Sequence, residues 1–244
     1  MRIATWNVES LRSLTPARET AFHQAMATVD ADVWVLTETW TNFSPGAGYA
    51  LAAESETATD LIRQPTRRWV SIWRKSSLAA TRLSLRAQAD RQACCRIQFA
   101  DGNPVTVVGT VLPWNGDKRW PTANDFRDAV SEQAESWVEL QRGSPDCSLV
   151  IAGDLNQSLP YATYFGSRVG ETALSAALNR LNLTCLTQGD CSHLVRPRID
   201  HICIERSGFE SQSPVGGWDI PTVNGKGVTD HEGVFADLAP RSPA

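Results

Sequence analysis

Residues 148–156 read SLVIAGDLN. Leu149 to Ala152 form an unbroken apolar run, rich in β-branched side chains and too short for a helix, and it stops at a glycine. The reading is a buried strand with a tight exit at Gly153, where a residue without Cβ meets no steric bar. Asp154 and Asn156 follow one residue apart, so on an extended chain they share a side. Polar groups placed this way are commonly ligand or catalytic residues, because rigid strands aim the loops that leave them.

Working outward, runs of the same kind recur at about 2–8, 33–37, 68–74, 78–86, 93–100, 104–112, 147–152, 200–204 and 233–238. Helical spacing occupies 16–29, 122–141 and 170–181, marked by sets such as Phe126, Val130, Trp137 and Leu140. Asp101-Gly102-Asn103 tolerates positive φ and predicts a hairpin over 93–112. Strand–helix–strand passages at 2–37 and 104–152 add parallel or crossing strands. The expected class is α/β, with two packed mixed sheets, in a single domain over 1–239 followed by a short Pro/Ser tail, 240–244.

The 244 residues are 42% hydrophobic, enough for a large core, which excludes disorder for most of the chain. Lys plus Arg is 23 against 27 for Asp plus Glu, so a wholly basic nucleic-acid coat protein is excluded. No apolar run nears the ~18 residues of a membrane span, and MRIATWNVES alternates instead of opening on a basic head and a greasy stretch. The expectation is a cytoplasmic protein without stable membrane association. Six cysteines with no CxxC argue against a disulfide framework or a zinc ribbon, a Cys185–Cys191 loop bridge being the alternative. Between Arg63 and Arg96, nine basic residues face one acid, Asp90. They read either as a phosphate-binding face or as strand residues in which Arg82, Ser84 and Arg86 meet water while Leu83 and Leu85 turn inward.

Other strand ends carry similar groups. RIATWNV ends with Asn7 and then Glu9; DVWVLTE ends at Glu38; Asp200 opens an apolar stretch in RPRIDHICI; Asp230 and His231 precede the last strand in VTDHEGV. Taken singly, each has an ordinary explanation as a turn or a solvated end. Together they form an oxygen-rich set drawn from the whole chain, and carboxylates gathered in one pocket repel unless a cation compensates. Hard oxygen donors with one imidazole suit Mg²⁺ or Mn²⁺, whereas zinc prefers several His or Cys ligands. Such an ion, keeping waters, accepts phosphate oxygens, and the implied substrate is a phosphoester.

WNV, TETW, GDLN, RIDHI and TDHEGV, running in this order from residue 6 to residue 234, resemble the motifs of the endonuclease/exonuclease/phosphatase (DNase I-like) superfamily. The resemblance implies a four-layer α/β/β/α sandwich with the active site at one end of the sheets. By position, Glu38 is similar to the principal metal-binding carboxylate, with Asn7, Glu9 and Asp230 near that metal or a second one. Asp154 is similar to the residue that orients or deprotonates the attacking water, Asn156 to the amide beside it, and Asp200 to the partner of the terminal histidine, His231. The chain departs from many relatives where they carry a His or Tyr, since Val111 or Leu112 stands there, with Trp114 and Asn115 as nearby replacements.

The implied activity is Mg²⁺-dependent phosphodiester hydrolysis by in-line attack of water, with DNA or RNA as substrate. The alternative is a phosphomonoesterase or lipid phosphodiesterase on the same scaffold. For nucleic acid, the segment Trp114 to Trp120 offers two indoles and two cations for base stacking, unless one Trp caps the core under the following helix, and Arg196 and Arg198 are either phosphate contacts or ordinary surface charges. For a lipid, Gly216-Gly217-Trp218-Asp219-Ile220-Pro221 offers a membrane-touching hairpin.

Overall fold

The computed structural model describes residues 1–58, 66–99, 104–114, 116–160, 165–189 and 198–241. The first sheet runs in the order β11 (Phe209–Ser211), β15 (Gly233–Pro240), β1 (Arg2–Asn7), β2 (Val33–Trp40), β4 (Arg67–Lys75), β3 (Tyr49–Glu54), and β12 (Gly216–Trp218) also pairs with β15. The second runs β5 (Ala79–Leu83), β6 (Gln92–Gln98), β7 (Pro104–Val111), β8 (Ser148–Asp154), β10 (Asp200–Glu205), β9 (Leu183–Cys185). β13 (Thr222–Val223) and β14 (Lys226–Gly227) form a separate ribbon. Each large sheet is mixed, because β1 and β2 pair in parallel across helix α1 (Pro16–Val29), and β7 and β8 do so across α2 (Ala123–Gly143).

Period-two alternation sorts the strand residues into layers. Ile3, Val33, Val35, Val70 and Ile72 meet Cys95, Val107, Val150 and Ile202 between the sheets. The intervening residues Ala4, Trp6, Trp34 and Leu36 turn outward under Phe22 and Met26 of α1. On the far side Val108, Leu149 and Ile151 pack under α2 and α3 (Arg168–Arg180), through Phe126, Val130, Trp137, Leu174 and Leu178. This is the four-layer sandwich. The sheets approach closely at Gly109, where a Cβ would stand 2.6 Å from Val70 Cγ1 and 2.9 Å from Val35 Cγ1. The helices start on side-chain caps that satisfy otherwise orphaned N–H groups, Thr15, Thr122 and Ser167, and Thr122 forms a reciprocal capping box with Asp125.

Some boundaries differ from the sequence reading. The run expected at 33–37 continues through Glu38 to Trp40, that at 147–152 reaches Asp154, and that at 78–86 ends at Leu83. β9 and β11 to β14 are two or three residues long, too short to show a period, and owe their form to the strands beside them. β6 and β7 pair antiparallel as the hairpin requires, while the expected turn at 101–103 lies outside the described residues.

Candidate active site

The fold brings the strand ends together. Parallel pairing sets Asn7 beside Thr37, next to Glu38, and antiparallel pairing sets Asp154 opposite Asp200. The Asn7 amide then joins the two sheets: its Nδ2 donates to Glu38 Oε1 and to Asp154 Oδ2, both at 3.0 Å. His231 Nδ1 donates to Asp200 Oδ2 at 2.5 Å. One ligand atom each from Asp154, Asp200 and His231 lie within 4.8 Å of one another. The loop carrying His231 is tied back to β1, because Thr229 Oγ1 donates to the Asn7 carbonyl and Trp6 Nε1 to the His231 carbonyl.

The backbone here is unusual. Glu9, Glu38 and Asn156 have φ of 48°, 45° and 47°, a left-handed conformation that costs a residue with a Cβ of order 1 kcal/mol or more. Two are held by turns built on the site's own side chains: Asn7 Oδ1 accepts from Glu9 N, and Asp154 Oδ1 accepts from Asn156 N. Asn156 Nδ2 donates to the Leu112 carbonyl. Gly153 has φ of 140°, and a Cβ there would collide with the Thr110 carbonyl, so the exit read from the sequence does need glycine.

A buried arginine fastens both site loops, and nothing in the sequence signalled it beyond a place near the start of α1. Arg18 donates to the carbonyls of Val228 at 2.6 Å and Val8 at 2.8 Å, and to those of Glu9, Arg12 and Ser13. One guanidinium thus holds the segment bearing Glu9 and the one leading to His231.

Burial pushes the Asp154 carboxyl up to about 7, and the charge of Asp200 adds to the shift. Burial likewise raises Glu38, against the hydrogen bond from Asn7, which lowers it. For His231 burial works toward the neutral ring, yet the charge and hydrogen bond of Asp200 prevail and its pKa stands well above the usual imidazole range. Asp200 Oδ1 and Glu9 Oε2 are buried without a hydrogen-bond partner. Crowded carboxylates, two orphaned oxygens among them, fit a hard divalent cation. The metal candidates are not equivalent, however. Glu38 and Asn7 sit at the centre, Glu9 Oε1 is engaged by Arg12 at 2.9 Å, and Asp230 is 60% exposed with Oδ1 3.8 Å from His231 Nε2.

Trp114 borders an open cleft of about 380 Å³ beside Asn156, lined also by Thr122, Phe126, Gln157 and Ser167. Both indoles of that segment, Trp114 and Trp120, are half-buried and also face a cation. Trp69, Trp114 and Trp120 surround Arg91, whose guanidinium lies 3.9, 5.4 and 5.5 Å from their ring centres and 2.9 Å from Asp117. The loop is an aromatic box around a buried ion pair. Val111 and Leu112 are fully buried, so neither supplies an acid or a base. Arg198 is buried just ahead of Asp200, whereas Asn115 and Arg196 lie outside the described residues.

The arginine-rich segment follows the second of its two readings, with Arg82, Ser84 and Arg86 exposed and Leu83 and Leu85 packed against the core; several of its cations also have partners, Arg67 in Ser10, Arg68 in Glu54, Lys75 in Asp30 and Asp32, Arg86 in Glu139 and Arg96 in Ser144. Arg63 lies outside the described residues. Trp218 is no membrane hairpin, since its ring packs on Trp6 at 5.2 Å and Trp34 at 5.7 Å. Among the described residues no helix is long and apolar enough to cross a membrane. Cys185 is a free thiol, and Cys191 lies outside the described residues.

The sequence profile described as "Endonuclease/Exonuclease/phosphatase family" matches residues 4–231. No curated protein sequence matches the chain. Among solved structures, the human Nocturnin catalytic domain superposes with a TM-score of 0.68 at 16% identity, covering 99% of this chain and 94% of that one. The AP endonuclease LMAP from Leishmania major gives 0.67 at 18% identity, covering 99% and 88%. The D. rerio TDP2 solved with a single-strand DNA product gives 0.60 at 14% identity, covering 98% of each. At these identities the likeness is one of fold.

Proposed function

The chain belongs to the endonuclease/exonuclease/phosphatase family, and from that premise we propose that it is a divalent-cation-dependent phosphodiester hydrolase acting on nucleic acid. The observation that carries this reading is the joining of Glu38 and Asp154 through one Asn7 amide, beside the Asp200–His231 pair. Mg²⁺, or Mn²⁺ in its place, would be held by Glu38 with Asn7, and Glu9 and Asp230 would lie nearer the rim. When bound, that ion stabilises negative charge developing on the phosphate oxygens.

The remaining work falls to side chains. Asp154 at the end of β8 and Asn156 in the turn tied to it set the attacking water behind the phosphorus, in line with the leaving oxygen. Asp154 accepts the proton of that water. Asp200 occupies His231 Nδ1, which fixes the ring and turns Nε2 toward substrate as a donor to the phosphate or the leaving oxygen.

The cleft beside Asn156 supports nucleic acid over the alternatives. Among the described residues its lining is of indole, phenyl, amide and hydroxyl groups with no Lys or Arg, which suits a nucleobase and not a polyphosphorylated ring. Trp218, the one feature that suggested a lipid, is half-buried with its ring against Trp6 and Trp34. Single-stranded, double-stranded and abasic DNA and RNA, each with Mg²⁺ and with Mn²⁺, form the test. Hydrolysis of at least one, reduced about 10²-fold to 10⁴-fold in Asp154→Ala and His231→Ala, is the expected result. A wild type inert on all of them, or one that releases phosphate from inositol phosphates or choline phosphate from sphingomyelin instead, overturns the proposal.

A further inference from the structure

Behind the site, β9 and β10 carry a buried cluster that the hydrolytic reading does not use. Cys185 stands directly opposite Cys203. In the same ladder Leu186 N donates to the Ile202 carbonyl and Arg206 N to the Asn182 carbonyl, so those are the hydrogen-bonded pairs. Cys185 and Cys203, one step away, therefore form a narrow pair without ladder bonds, whose Cα atoms stand about 4.5 Å apart. A disulfide spans about 4.4–6.8 Å between Cα atoms, and both side chains leave the same face of the sheet, under α3.

The next narrow pair on that face is Thr187 and His201. Cys185 Sγ lies 3.4 Å from His201 Nδ1 and 3.5 Å from Thr187 Oγ1. His201 Nε2 meets the Gln157 carbonyl at 2.9 Å, so the ring is fixed from behind. We propose that Cys185 and Cys203 are an oxidisable pair, converted by a hydroperoxide to a cross-strand disulfide that ties β9 to β10 behind the active site.

The chemistry balances with peroxide as the oxidant. The Cys185 thiolate attacks one peroxide oxygen, the O–O bond breaks, and Cys185 becomes a sulfenic acid with release of water. Cys203 sulfur then attacks Cys185 sulfur and expels the hydroxyl, which leaves as a second water with the Cys203 proton. Two thiols are oxidised by two electrons and one peroxide is reduced to two waters. Cys185 is the suited attacker. The hydrogen bond from Cys203, with those of Thr187 and His201, favours its thiolate, and it lies on a three-residue strand at the sheet edge, where local opening is easiest. Burial raises the thiols of Cys94 and Cys95 instead.

The test oxidises the full chain with hydrogen peroxide, alkylates the remaining thiols and maps the peptides. A linked Cys185–Cys203 peptide, reversed by dithiothreitol, with Cys94, Cys95 and Cys147 still alkylated and a raised Tm of the oxidised form, is the expected outcome. Cys203→Ala removes the link, and the wild-type map stands alone if that variant does not fold. A Cys185–Cys191 link, separate sulfinic acids, or thiols untouched under conditions that oxidise the urea-unfolded chain would each overturn the proposal.

Discussion

Arg18→Lys separates charge from geometry at the clamp beneath the site. The guanidinium makes five bonds to main-chain carbonyls, and those to Val228 and Val8 are buried on both sides. Lysine keeps the charge but offers three protons from one point, which cannot span carbonyls on two loops. Stranding two buried carbonyls at about 1–3 kcal/mol each gives a loss of about 2–6 kcal/mol. With a urea slope of about 2–3 kcal/mol/M, the unfolding midpoint falls by about 0.7–3 M. The same carbonyls fix the loops bearing Glu9 and leading to His231, and a displacement near 1 Å at a reacting group costs about 10²-fold. Urea titration by circular dichroism and steady-state hydrolysis are the paired assays, read below the transition of the variant. A midpoint and kcat both at wild-type level refute the reasoning, and a lowered midpoint with unchanged kcat refutes its catalytic half.

Asp117→Asn removes the carboxylate charge that faces the buried Arg91 guanidinium and costs about 3–5 kcal/mol, whereas Arg91→Met with Asp117→Leu returns to within about 1 kcal/mol of wild type in the same titration; a double variant as unstable as the single contradicts this. Mg²⁺ at a hundredfold over its Kd stabilises wild type by about 2.7 kcal/mol in thermal melts, and Glu38→Gln abolishes the shift. Trp114→Ala raises KM for an oligonucleotide about tenfold with kcat little changed, as loss of one stacking surface requires. The hydrogen bond from Arg2 holds the Asp237 carboxyl below its ordinary value, so the pair stabilises the fold at neutral pH and loses that contribution as pH falls below about 4, through the lowered value. Both groups are near one-third exposed, which limits the gain to about 0.5–1 kcal/mol. Melts of Asp237→Asn should therefore trail wild type at pH 7, with the gap narrowing as the pH falls below about 4; a gap that does not narrow in acid rejects the assignment.

The residues legible in the sequence are those whose position follows from strand periodicity. Asn7, Asp154 and Asp200 sit at strand ends, Glu38 follows an apolar run and His231 precedes the last strand, and the sheets gather all five. What stayed hidden depends on pairings between distant segments. Arg91 and Asp117 are 26 positions apart, and only their meeting turns an aromatic loop into a box. Trp218 looked like a surface residue because its partners, Trp6 and Trp34, lie in strands nearly two hundred positions away. The carboxylates that pair with Arg68, Lys75 and Arg86 of the basic run likewise come from elsewhere in the chain.

The left-handed backbone at Glu9, Glu38 and Asn156 sets a trap for anyone engineering this chain. Glycine at any of the three relaxes the torsion, so a library sorted only for survival of heat would enrich sequences that have lost the side chains proposed for the chemistry. Hardening this scaffold calls for a screen that counts turnovers alongside melting, with those three codons left untouched.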